Sequence, residues 1–239
     1  ETVLVGEGKK YEARQAVTPW VLTLLAADAR IVRGRPRGSW ISSQYRWMTA
    51  RTWLDGRPAP PALPLPAART ELVRRWLAAF GPGTFADLAW WTGWTTTALR
   101  DALADIGPAE VSLDGGATGL VLPGDDAPPH EEPSGPAVVF LPALDSTVMG
   151  WAGRDWFLGP HRESLFDRNG NAGPTVWWDG RVVGGWAQRA GGEVAYRLLE
   201  DVEAEAAGAS EAERLRRWLA AVRVTPRFRT PLERTLSAG

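Results

Sequence analysis

The residues of this chain best suited to chemistry with an anion lie in the run Arg33-Gly34-Arg35-Pro36-Arg37-Gly38-Ser39. Cationic side chains on a Gly/Pro turn probe phosphates or the minor groove of a duplex, and a serine hydroxyl can join them. A solvated hairpin tip would read the same way. Between residues 30 and 57 the chain carries Arg30, Arg33, Arg35, Arg37, Arg46, Arg51 and Arg57 against Asp55 alone. Residues 101–135 hold eight carboxylates and no Lys or Arg. The net charge is −1, which excludes a generic polycation, but this segregation gives the molecule one basic face.

A second set of polar groups lies on an amphipathic segment. Thr96, Thr97 and Arg100 fall off the stripe made by Leu99 and Leu103, so they can reach phosphates or base edges. Asp101 and Asp105 on the same segment would repel phosphate, which leaves packing against protein as the other reading. The third set is the loop from Asp145 to Asp155, with Trp151 and Arg154 inside it. Either Arg154 reaches a phosphate with Asp145 nearby, or the two side chains close the fold by pairing with each other or with backbone. Cys is absent and His130 and His161 are the only histidines, so thiolate chemistry and a His-rich metal centre are excluded. No phosphate-cradling Gly loop and no Ser-His-Asp spacing occurs. No metal or cofactor is expected.

Three modules must position these groups. In residues 1–57, Thr18 caps a predicted helix with Pro19 at its first position and Trp20 and Leu24 on its apolar side. A strand from Ile31 then turns through Gly34–Ser39 and returns over Ile41–Ala50, the shape of a recognition helix with a wing whose opening helices are short or missing. Pro58–Pro66 reads as an extended linker. In residues 67–123, a helix from about Thr70 carries Leu72, Val73, Trp76, Leu77 and Phe80 on one face. Thr84 and Asp87 start the next helix, Gly93 ends it, and a third begins near Thr95. A hairpin follows, Val111–Leu113 and Leu120–Leu122 flanking Asp114-Gly115-Gly116. After an acidic, Pro-rich linker over 124–136, residues 137–239 are mostly β, with strands at Val138–Leu141, Thr175–Trp178, Arg181–Val183 and Glu193–Leu199. Ser210 and Glu213 form a predicted capping box for a C-terminal helix lined by Leu215, Trp218, Leu219 and Val222. The expected fold is α+β: a partial winged helix, a complete winged helix, and a small β-barrel-like domain with a C-terminal helix.

As an ordered set, Thr84 to Gly93, Leu99 to Leu103, Leu141 to Asp145 with Met149-Gly150 and Arg154-Asp155, and Asp179 to Gly184 with Trp186 resemble one family. It is the AlkZ-like bacterial winged-helix DNA glycosylases, which unhook alkylpurines and interstrand crosslinks. The resemblance implies tandem winged helices and a C-terminal β-barrel-like domain arranged as a concave surface around double-stranded DNA, with a damaged base excised without metal. It also implies a bacterial cytoplasmic protein at the nucleoid and no membrane partner. The DNA-facing residues would be Arg33, Arg35, Arg37, Ser39, Arg46, Thr96, Thr97, Arg100, Asp145 and Arg154.

One departure from the family pattern bears on catalysis. The family's catalytic motif is Gln-x-Gln or Gln-x-Asp in an N-terminal winged helix, and none of Gln15, Gln44 and Gln188 begins such a motif. The chain opens on Glu1 without an initiator Met, which suggests a processed or truncated polypeptide. The expectation is therefore the DNA-binding portion of a repair glycosylase with its catalytic segment elsewhere. A non-catalytic winged-helix regulator is the alternative, and a protein-interaction scaffold is a third class.

Overall fold

The computed structural model describes residues 1–10, 12–38, 42–57, 62–127, 135, 137–226 and 228–239. Ser39 and His130 lie outside the described residues. Contacts divide the chain into two units, residues 1–62 and 63–239.

The first unit runs β1 (Thr2–Val5), β2 (Ala13–Ala16), α1 (Val17–Ala27), β3 (Ile31–Pro36), β4 (Tyr45–Thr49) and α2 (Ala50–Trp53). The β1–β2 hairpin is absent from the sequence reading, because its residues show no apolar alternation. Helix α1 begins at Val17 with Ala16 as its N-cap, so Thr18 is helical rather than capping. Pro19 is still tolerated, since the first-turn N–H groups have no intrahelical acceptor. No residue of α1 is buried, and Leu24, assigned to a core stripe, is 66% exposed. β3 and β4 pair antiparallel, with a register shift between Arg33 and Pro36.

The second unit begins with three helices and a hairpin in the expected order: α3 (Leu65–Phe80), α4 (Phe85–Thr92), α5 (Thr96–Ile106), β5 (Ala109–Ser112) and β6 (Thr118–Val121). Helix α3 starts five residues before Thr70 and absorbs the end of the expected linker, with Pro66 in its first turn, where Pro is favoured. Thr84 and Asp87 form a reciprocal capping box, and Gly93 ends α4 at φ 65°, a left-handed conformation that glycine adopts without strain. Val73, Trp76, Leu77, Leu88, Leu99 and Leu103 close this helical core. Leu72 faces outward at 38% exposure.

The rest of the unit comprises β7 (Val138–Leu141), α6 (Ser146–Met149), α7 (Asp155–Leu158), α8 (Arg162–Leu165), β8 (Thr175–Trp178), β9 (Arg181–Gln188), β10 (Val194–Leu198), α9 (Glu205–Leu219) and α10 (Pro231–Ala238). The strands form one antiparallel sheet in the order β10-β9-β8-β7. The β-barrel-like expectation is corrected here: β7 and β10 are its two edges and the sheet is open. Both faces are apolar and each is covered, so closure is not needed to bury them. Trp177, Val182, Ala187 and Ala195 pack with Phe157, Leu165, Leu232 and Leu236 on one face. Val176, Val183, Trp186 and Val194 pack with Ala212 and Leu219 on the other. A register shift at Val176/Trp177 lets Val183 and Trp186, three apart, share a face. Asp179 and Gly180, at φ 47° and 79°, make the tight β8–β9 turn expected of that dipeptide.

Ser210 does not cap a helix. α9 starts at Glu205, because the Ala-rich run before Ser210 is itself strongly helical. Of the stripe assigned to it, Leu219 is buried while Trp218 is 75% exposed. The capping box near the C-terminus is Thr230 with Glu233, which opens α10.

Candidate nucleic-acid interface

In the first unit the basic run folds as the β3–β4 hairpin, and Arg33, Arg35, Arg37 and Arg46 are all exposed. Arg33 Cζ stands 4.5 Å over the Tyr45 ring, and the Arg37 N–H donates to the Gln44 carbonyl at 2.8 Å. None of the four forms an ion pair among the described residues. Four guanidinium groups, held on paired strands and free of carboxylates, make a surface that attracts phosphodiesters.

In the second unit Thr95 caps α5, its hydroxyl accepting from Ala98 N at 3.3 Å. Thr96, Thr97 and Arg100 are exposed, opposite buried Leu99 and Leu103. Asp105 accepts the Thr70 hydroxyl at 3.0 Å and so helps tie α5 to α3, while Asp101 stays exposed on the helix.

The loop from Asp145 to Asp155 joins the helical core to the sheet core. Asp145 caps α6, its Oδ1 accepting from Thr147 N at 2.8 Å, so this carboxylate is engaged locally and not with Arg154. Trp151 Nε1 donates to the Phe80 carbonyl at 3.0 Å, and its ring meets those of Phe80, Trp156 and Phe157 edge to face. Gly150 permits this: a Cβ there would lie 2.6 Å from the Phe80 ring. The N–H groups of Ala152 and Gly153 donate to Asp87 Oδ1 at 2.8 and 2.9 Å.

Arg154 is not the surface cation the sequence suggested. It is 4% exposed, its Nε donates to the Trp151 carbonyl at 2.8 Å, and its Cζ lies 5.0 Å from the Trp90 ring centroid. Burial, and after it the neighbouring Arg162 guanidinium, holds Arg154 below the ordinary arginine range; the Asp87 carboxylate opposes them. The sequence gave no signal for Asp87 as the link between cores. Its part in a capping box was legible, but its second oxygen meets residues about 65 positions away.

The other candidates are structural. His161 Nε2 lies 2.7 Å from Glu200 Oε1, and Arg181 reaches both oxygens of Glu200. Gln188 is buried, its amide donating to the Val222 carbonyl and accepting from Val224 N. An apolar cavity of about 410 Å³ between the sheet and α9 has Arg229 and Glu233 in its wall, and these pair with each other at 3.3 Å. Among the described residues no group of His, Asp and Glu side chains could hold a metal ion, and no helix is long and apolar enough to cross a membrane.

A protein-family model described as DNA glycosylase AlkZ-like matches residues 2–219. The structure is similar to that of Streptomyces sahachiroi DNA glycosylase AlkZ, with a TM-score of 0.68 and 23% sequence identity. The match covers 84% of this chain and 55% of that one, so this chain spans about half the length of the protein it resembles. No curated protein matches it in sequence.

Proposed function

The chain belongs to the AlkZ-like DNA glycosylase family, and on that premise we propose that it is the duplex-DNA-binding portion of a repair glycosylase for alkylated or crosslinked purines. The observation that carries the reading is the β3–β4 hairpin, with Arg33, Arg35, Arg37 and Arg46 exposed and free of ion pairs among the described residues. In this reading the hairpin is the wing of a partial winged helix. Helices α3 to α5 with β5 and β6 form a second, in which Thr96, Thr97 and Arg100 face DNA. Phosphate contacts fix such a protein on a duplex without reading sequence.

Base excision by this chain alone is not part of the proposal. Gln15, Gln44 and Gln188 begin no Gln-x-Gln or Gln-x-Asp pair, and the Gln188 amide is already spent on backbone. That observation also favours the second reading, a non-catalytic DNA-binding relative.

Fluorescence anisotropy with a labelled duplex tests the binding. Saturable, salt-sensitive binding is expected, and its absence at low salt would overturn the reading. Incubation with a duplex carrying a methylated purine, followed by alkaline cleavage of abasic sites, tests the chemistry. No strand breaks above a protein-free control are expected.

A further inference from the structure

Two arginines converge on one aromatic ring where the 151–155 loop meets α8. Arg154 Cζ lies 5.4 Å and Arg162 Cζ 5.0 Å from the Phe166 ring centroid. Arg154 is also bounded by Trp90 and tied through Nε to the Trp151 carbonyl, so its position is fixed. Its Nη1 and Nη2 make no hydrogen bond or ion pair among the described residues. Neither is among the fully enclosed unpaired side-chain atoms, so the fork keeps a narrow contact with solvent. Arg162 is exposed, and it too has no carboxylate partner among the described residues.

Leaving the fork of a buried guanidinium without an acceptor is costly, and a second cation beside it adds repulsion. Asp87, the carboxylate that acts on Arg154, is engaged elsewhere: one oxygen accepts from Ala152 and Gly153, the other from the Thr84 N–H and hydroxyl. An oxyanion from outside the chain would supply both missing features, acceptor lone pairs for a planar fork and negative charge between two cations.

We propose that Arg154 and Arg162 form a seat for a phosphate group, with Arg154 as the fixed prong and Arg162 as the solvent-facing prong that closes on it. The seat binds the oxyanion itself, so inorganic phosphate is a ligand. Its assignment to a backbone phosphodiester of bound DNA rests on the DNA-binding reading above.

The test uses the whole chain and has two arms. In the first, phosphate is compared with chloride at matched ionic strength by thermal melting and by phosphorus NMR line broadening. Wild type should melt higher in phosphate and broaden the resonance. Arg162→Ala should melt with wild type in chloride, because Arg162 is exposed, and should lose both effects. Arg154→Lys keeps the charge without the fork and should weaken them. Equal phosphate responses in wild type and Arg162→Ala would overturn the seat.

In the second arm, Arg162→Ala should lower the log-log salt dependence of duplex affinity by about 0.9, the loss of one phosphate contact. An unchanged slope, with the phosphate response intact in the first arm, would overturn the assignment to DNA backbone. Phosphate binding in a protein that binds no DNA would support the seat and overturn the proposed function.

Discussion

Asp87 and Gly153 are joined by a 2.9 Å hydrogen bond, Gly153 N to Asp87 Oδ1, and through it one carboxylate serves two packed cores at once. Its Oδ2 accepts from the Thr84 N–H and hydroxyl at the start of α4, while Oδ1 takes Ala152 and Gly153 from the loop ahead of α7. The helical core and the sheet core are therefore fastened by a side chain whose local role is only to cap a helix. Trp151 reinforces the fastening, since it packs against both cores.

Asp87→Ala should destabilise the second unit by about 3 kcal/mol. The lost cap accounts for roughly 1 kcal/mol, and two loop N–H groups left without their acceptor account for the rest. Urea denaturation followed by tryptophan fluorescence measures it. A loss below about 1 kcal/mol would mean that water replaces the carboxylate and that the cores hold without it.

Arg154→Ala should also cost stability, about 2 to 4 kcal/mol, from a charge-assisted hydrogen bond to the Trp151 carbonyl and stacking on Trp90 and Phe166. A surface arginine would cost no more than about 0.5 kcal/mol. Thermal melts separate the two, and a change within that smaller range would show that Arg154 is not held as described.

Replacing Arg33, Arg35 and Arg37 together with Ala should flatten the log-log salt slope of duplex binding by roughly two to three units if each meets a phosphate. Melting should be unchanged, because all three side chains are exposed. An unaltered slope removes the β3–β4 hairpin from the interface.

Burial pushes the Glu233 carboxyl above its usual range, and the pull of Arg229 and the Thr230 N–H does not offset it. Its folded pKa thus exceeds its unfolded one. The stability it contributes is fully present below the ordinary glutamate value of about 4.3 and is lost as pH rises through the folded value. The stability of wild type relative to Glu233→Gln should fall as pH is raised from about 4 toward neutrality. Equilibrium unfolding of both proteins across that range checks it, and a rising difference would reverse the sign assigned to Glu233.

What the sequence by itself determined is what neighbours along the chain decide. Thr84, Asp87 and Gly93 bound α4 because caps are satisfied within one helical turn, and Asp179-Gly180 makes its hairpin because both residues tolerate positive φ. The Leu99/Leu103 stripe showed which side of α5 is buried, and so left Thr96, Thr97 and Arg100 exposed. The basic run was legible as a hairpin for the same local reason, whereas the early start of α9 was missed because Ser210 looked like a cap inside a run that Ala residues keep helical. The tertiary structure decided the rest. Whether a sheet closes or stays open depends on what covers its two faces, and here helices cover both. Whether Arg154 meets solvent or a core depends on Trp90 and Phe166, which flank it in sequence on either side at a distance. The oxygen of Asp87 left over from its cap found Gly153 only because the two cores packed together. Such contacts are fixed by the packing of whole elements, and spacing along the chain does not encode them.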